Sequence, residues 1–178
     1  MDIFIYDVPL YGDRTMVIFW DLDGVLREFG TYILGYEPSH WNATRDGKTV
    51  IEIVNEHPEI CAYCPETKYL KIVNEYMDKI TIMSNQLPSW MAFTNRWLNR
   101  HIKIPYEVIY TNGPQEKLAM LKPGDFIVED YPCFSDYSQV ALINYAYNKH
   151  LDVPIRIFDT RQLEEFLLGF DDIYQRMI

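Results

Sequence analysis

Two carboxylates, Asp21 and Asp23, stand two residues apart at the end of the apolar run Met16-Val17-Ile18-Phe19-Trp20, and Gly24 follows at once. Clustered carboxylates repel one another, so they need a cation, a shared proton or solvent. A carboxylate can also accept a phosphoryl group, forming an acyl-phosphate that water then hydrolyses. Asp-x-Asp-Gly alone is equally well an acidic turn after a strand. Other polar groups close apolar runs in the same way, however. Ser84 follows Ile80-Thr81-Ile82-Met83, and the pair Glu129-Asp130 follows Asp125-Phe126-Ile127-Val128.

These groups can act together only if the chain builds elements that aim them at one place. Residues 16–21 are too short a run for a surface helix and read as a buried strand. Further strands are expected at 80–83, 107–110, 125–128 and 154–158, with an edge strand at 3–6. Helices are expected over 66–77, from Pro88 with Trp90, Phe93, Trp97 and Leu98 inward, over 117–121, over 135–149 and over 161–168. Such alternation implies an α/β fold with a parallel sheet and right-handed crossovers. Sheets of that kind bind ligands beyond the C-terminal ends of their strands. Asp21, Ser84 and Asp130 would then face one crevice. Residues 30–64 differ in character, being rich in aromatics and punctuated by Pro58, and read as a small helical cap inserted after the first core strand.

The stretch Asp21-Leu22-Asp23-Gly24-Val25-Leu26 resembles the first signature of the haloacid dehalogenase (HAD) superfamily, an apolar strand ending in Asp-x-Asp-Gly-Thr/Val-Leu. Ile82-Met83-Ser84 resembles the second motif, and Ile127-Val128-Glu129-Asp130 the fourth, whose acids hold magnesium. The third motif is a lysine shortly before the fourth. Lys117 and Lys122 both qualify, and Lys117, near the start of a helix after the third strand, is preferred. The resemblance implies a three-layer Rossmann-like core, residues 1–29 and 65–178, around the cap at 30–64. It implies a phosphomonoesterase in which Asp21 is the nucleophile and Asp23 the general acid/base. Ser84 and Lys117 would stabilise the phosphoryl group, with Asn85 beside them in substrate binding. Mg²⁺ would be held by Asp21, Asp130 and the main-chain carbonyl of Asp23, with Glu129 behind it orienting Asp130 or a metal-bound water. Asp136 lies farther on than the family's last acid and reads either as a further site residue or as an early helix acid favoured by the dipole.

Bulk properties narrow the partners. At 178 residues and 48% apolar content the chain suits one domain with a modest insertion. The net charge of −10 argues against a broad nucleic-acid surface or an anionic membrane. A small phosphorylated substrate stays compatible, because a bound divalent ion reverses the local field. No run approaches a membrane span, and Met1-Asp2-Ile3 carries no basic region, so a soluble cytoplasmic protein is expected. Cys61 and Cys64 form a CxxC pair. His40 and His57 could join them as zinc ligands, but no second CxxC or HxxxH exists, and reduced structural thiols are expected.

The cap carries Tyr32, Tyr36, His40 and Trp41, with Arg45 and Lys48 close behind. Its rings can pack the cap itself, or one among Tyr32, Tyr36 and Trp41 can face the crevice and stack a base, with a cation meeting a second phosphate. The short cap and paired acids look most like the 5'(3')-deoxyribonucleotidase group, which implies a nucleotide or other small phosphomonoester as substrate. A polynucleotide 3'-phosphatase would need a Lys/Arg track. A non-catalytic HAD-like binding module would be expected to have lost an acid.

Overall fold

The structure, a computed structural model, describes residues 16–175, with side chains described as far as residue 169. The edge strand expected at 3–6 lies outside the described residues. In chain order come β1 (Ile18–Trp20), α1 (Gly30–Leu34), the two-residue strands β2 (Thr44–Arg45) and β3 (Lys48–Thr49), α2 (Val50–Glu56) and a 3-10 turn (Pro58–Ala62). Then follow α3 (Lys68–Tyr76), β4 (Ile80–Asn85), α4 (Pro88–His101), β5 (Tyr106–Thr111), α5 (Pro114–Met120) and β6 (Phe126–Glu129). A second 3-10 turn (Pro132–Phe134), β7 (Val140–Ile143), β8 (Ile155–Ile157) and α6 (Thr160–Gln175) complete the described chain.

Local chemistry sets the helix starts. Thr49 and Glu52 form a reciprocal capping box on α2, each side chain accepting from the other's backbone N–H at 3.3 and 2.8 Å. Thr67 caps α3 by accepting from Tyr69 N at 3.2 Å, and its own hydroxyl donates to Val25 O at 2.6 Å, tying the helix to the turn after β1. Pro88 and Pro114 open α4 and α5, where a missing N–H costs nothing.

The main sheet has six strands in the order β5-β4-β1-β6-β7-β8, and every neighbouring pair is parallel. The chain runs outward from β1 to β4 and β5, then returns to place β6 on the other side of β1. The order therefore reverses beside β1, and a crevice opens above the strand ends there. Trp20, Ile82, Val128, Ala141 and Ile143 point to one face, where α3, α4 and α6 add Leu70, Trp97 and Leu163. Phe19, Met83, Ile127, Val140 and Leu142 point to the other, covered by Phe134 and by Leu118 and Leu121 at α5. The insert keeps a small core of its own, in which Ile33, Ile53, Val54, Cys61 and Cys64 meet Phe29 and Trp90. A β2–β3 hairpin stands between its two helices, so it is less purely helical than expected.

One expected element is replaced. The helix expected over 135–149 is absent: the chain makes a 3-10 turn, then β7, then turns through 149. Val140-Ala141-Leu142-Ile143 is a four-residue apolar run whose side chains alternate between the two faces, and all four residues are buried. A run that short fits either a buried strand or part of a helix by pattern alone. Here the open edge of β6 takes it as a strand, and irregular chain covers that end of the second face. Leu142→Ala is expected to lower the unfolding free energy by about 2–5 kcal/mol, read by urea denaturation, because the fully buried side chain leaves a cavity.

Candidate active site

β1 hands its ladder directly to Asp21, whose N–H donates to Val128 O at 2.9 Å. The carboxylate therefore sits at the strand end beside the last residues of β6. Glu129 and Asp130 close β6 and the segment after it, Ser84 lies near the end of β4, and α5 brings in Lys117. Lys117 Nζ contacts Asp21 Oδ1 and lies 2.6 Å from Glu129 Oε1. Glu129 turns its other oxygen to the backbone, accepting from the N–H of Asp130 at 2.9 Å and of Tyr131 at 3.1 Å. All four charged groups are buried, Asp21 at 7% exposure and the others at 4% or less.

The charges do not balance. Asp21, Glu129 and Asp130 each bring an oxygen within 4.8 Å of the others, and Lys117 is the cation that faces them. Burial, then repulsion from Glu129, pushes the Asp21 carboxyl up to about 8, and the pull of Lys117 does not compensate. Burial and the same neighbours raise Asp130 as well. Burial opposes the charge on Lys117, but Asp21 and Glu129 outweigh it and hold the ammonium above the usual lysine range. A donor set of hard oxygens with surplus negative charge fits a hard divalent cation such as Mg²⁺. Among the described residues this is the single such cluster, so His40, His57, Cys61 and Cys64 do not assemble as zinc ligands.

The turn after β1 leaves room for this cluster only because residue 24 is glycine. Gly24 has φ +84°, and a Cβ there would lie 2.0 Å from Asp130 Oδ2. Asp23, on the same turn, lines the cleft and accepts 2.7 Å hydrogen bonds from Arg27 Nε on one oxygen and Gln86 Nε2 on the other. Gln86 also donates to Ser84 Oγ at 3.0 Å. Tyr147 O–H donates to Asp130 Oδ2, Asn148 Nδ2 donates to Asp130 O at 2.9 Å, and Tyr145 O–H donates to Gly24 O at 2.7 Å.

Above these groups lies a cleft of about 420 Å³. Its walls include the rings of Phe29, Trp41, Trp90, Tyr131, Tyr145 and Tyr147. Trp41 comes from the insert and packs on Tyr131 at 4.4 Å and Tyr147 at 5.4 Å between ring centroids. Tyr36 instead donates to Thr44 O at 2.8 Å, and Tyr32 is exposed; neither lines the cleft. Arg45 and Lys48 lie elsewhere, and Lys48 pairs with Glu56 at 2.6 Å.

Of the residues singled out in the sequence, Asp21, Asp23, Ser84, Asn85, Lys117, Glu129 and Asp130 all line this cleft. Lys122 does not. It is exposed in the turn that enters β6, at the opposite end of the strand, where its N–H donates to Asp125 Oδ2 at 3.0 Å. Asp136 is also outside, accepting from Ser135 Oγ at 3.3 Å on the surface. Sequence reasoning passed over Arg27, Gln86, Tyr145, Tyr147 and Asn148. The last three lie in the segment read as a helix, which hid them. For Arg27, the opposite charge four residues after Asp23 was an available signal.

No family model matches the chain, and no curated protein matches it in sequence. Among solved structures, the chain is similar to a crystal structure of a proposed beta-phosphoglucomutase from Thermotoga maritima, at 10% identity and a TM-score of 0.48. The match covers 85% of this chain and 98% of that one.

The surplus charge has a measurable consequence. Asp21 keeps its proton up to about pH 8 in the folded chain, against 3.8 for an ordinary aspartate. Its contribution to stability is full below that lower value and is lost as pH rises through about 8. A divalent cation held by these acids would take the place of the proton. Excess Mg²⁺ is therefore expected to raise the melting temperature at about pH 8 by roughly 5–10 °C and by much less near pH 5, as measured by differential scanning fluorimetry after chelator treatment. Asp130→Asn should remove most of that rise.

Proposed function

We propose that the protein is a Mg²⁺-dependent phosphomonoesterase of the HAD kind, acting through an aspartyl-phosphate on a nucleoside monophosphate or a similar small phosphomonoester. The observation that carries this reading is the convergence of Asp21, Ser84, Lys117 and Asp130, from four separate elements, on one cleft. In the first step an Asp21 carboxylate oxygen bonds to phosphorus as the ester P–O bond breaks, and Asp23 gives its proton to the leaving oxygen. In the second, Asp23 takes a proton from water as that water bonds to phosphorus, and the bond to Asp21 breaks to release phosphate. Lys117 and the Ser84 hydroxyl hold the phosphoryl oxygens through both steps. Asp21, Asp130 and the Asp23 carbonyl would hold Mg²⁺, which supplies the positive charge that lets a dianion approach a carboxylate. Glu129 keeps Lys117 in place through their 2.6 Å pair.

The cleft wall supports the substrate class. Lys117 is the one cation among its described lining residues, and the rest of the wall is mostly apolar and aromatic. One phosphate and a flat, uncharged leaving group suit such a wall. A polynucleotide, with further phosphates, does not. A transferase that must hold two phosphates at once is disfavoured for the same reason, because Arg45 and Lys48 stand away from the cleft.

Asp21→Asn is expected to abolish phosphate release, and Asp23→Asn to slow it by roughly 10²-fold, with Mg²⁺ binding retained in the second variant. Near-normal turnover by Asp21→Asn would rule out the covalent route. Trp41→Ala should raise KM for nucleoside 5'-monophosphates by roughly 5- to 150-fold, the equivalent of losing one stacked base, while KM for glycerol 2-phosphate stays close to its starting value. Equal rises on both substrates would make Trp41 a packing residue.

A further inference from the structure

Arg27 is fully buried, at 0% exposure, on the turn that leads from Asp23 into the insert. A buried arginine needs partners for its charge and its donors, and here Nε and Nη1 are engaged while Nη2 has none. Its Nε donates to Asp23 Oδ1 at 2.7 Å, and its Nη1 donates to Thr94 Oγ1 at 3.3 Å. Thr94 in turn donates to Gln86 Oε1 at 2.8 Å, and Gln86 Nε2 donates to Asp23 Oδ2 at 2.7 Å. The circuit closes on itself. Asp23, Arg27, Thr94 and Gln86 form a ring drawn from the turn after β1, from α4 and from the end of β4. Each oxygen of Asp23 has its own donor, so the carboxylate is fixed in both of its torsions.

The same guanidinium reaches the insert. Nη1 donates to Cys61 O at 2.8 Å, in the 3-10 turn where the insert ends. The rings of Phe29 and Trp97 flank it at 5.0 and 5.6 Å from their centroids. The neighbouring carbonyls of that turn are held too, Ala62 O by Arg100 Nη1 at 3.3 Å and Cys64 O by Trp97 Nε1 at 2.6 Å. Of the two thiols, Cys64 donates to Ile60 O at 3.4 Å and Cys61 lies in hydrogen-bond contact with Thr94. Burial pushes Cys61 up to about 11 and Cys64 up to about 12, so both stay neutral.

We propose that Arg27 is a positioning residue for Asp23, and that it holds the carboxylate in the cleft through this ring while its bond to Cys61 O ties the same guanidinium to the last turn of the insert. This rests on Asp23 being the acid/base of the phosphomonoesterase reading. A group that transfers a proton to the leaving oxygen matters most when that oxygen leaves as an alkoxide, and little when it leaves as a nitrophenolate. A purely structural anchor has no such bias.

The test uses the full chain with Mg²⁺ and two probes, p-nitrophenyl phosphate and glycerol 2-phosphate. Asp23→Asn sets the reference, slowing the alkyl ester far more than the nitrophenyl ester. Arg27→Met is expected to lower kcat on glycerol 2-phosphate by roughly 10²-fold and on p-nitrophenyl phosphate by less than about tenfold, with KM little changed on either, because a displacement of about 1 Å is enough to cost that much. Arg27→Lys should recover part of the loss, keeping the charge without the fork. Thr94→Val opens the ring while leaving Arg27 in place, and should show the same bias in weaker form even where the Arg27 variants fold poorly. Equal losses on both probes in Arg27→Met and Thr94→Val, beside a biased Asp23→Asn, overturn the proposal alone. An unbiased Asp23→Asn overturns the acid/base reading and the proposal with it. Independently of turnover, the Arg27 Nε–H should exchange slowly in ¹⁵N NMR spectra and shift in Asp23→Asn. Rapid exchange, unaffected by that substitution, also overturns it.

Discussion

The contact between Lys117 and Asp21, shared with Glu129, takes three ionisable groups out of water at the end of the central strand, and Asp130 adds a fourth beside them. Desolvating each ion costs several kcal/mol, and one ammonium cannot repay three carboxylates. Much of the surrounding structure offsets that cost. Glu129 accepts two backbone N–H groups, Asp130 accepts from Tyr147, and Gly24 withdraws any side chain from the space that Asp130 fills. What remains is a pocket with surplus acid groups and a single ammonium fixed at its edge, a donor set that suits a hard cation.

That arrangement is built on the sheet order. Because β1 lies between β4 and β6, the ends of the three strands stand side by side, and their ladders hold the backbone under Asp21, Ser84 and Asp130 rigidly. Lys117 reaches them from α5, which lies over the same side of the sheet. The groups that approach from irregular chain are held by hydrogen bonds instead: Asp23 by Arg27 and Gln86, Asp130 O by Asn148.

Strand-end chemistry was legible in the sequence because each strand is an apolar run that stops at a polar residue. Asp21, Ser84 and Asp130 could be placed on one crevice from that pattern and the parallel alternation alone. Lys117 could be preferred over Lys122 because a helix follows β5 and only its start lies near the strand ends. The region from Ser135 to Lys149 was not legible. Val140–Ile143 is too short to reveal a period, and the partner that makes it a strand, β6, lies outside the local window. The loss of that strand concealed Tyr145, Tyr147 and Asn148, which reach the site from the turns after it. The ring around Asp23 was hidden for another reason: Gln86 and Thr94 are distant in sequence from Arg27, and nothing local marks a polar side chain that will be buried.

The two ends of the insert are joined where they meet the core. Glu28 N donates to Pro65 O at 2.9 Å, Thr67 N donates to Leu26 O at 3.0 Å, and Arg27 bridges antiparallel to Glu66. This small ladder fixes the separation of the two ends whatever lies between them. The length and content of the intervening chain are thereby uncoupled from the geometry of the sheet, and added length carries only the slowly growing entropy of closing a longer loop. The fold thus has a natural graft point, where the segment that shapes one wall of the cleft joins the core through a ladder of its own.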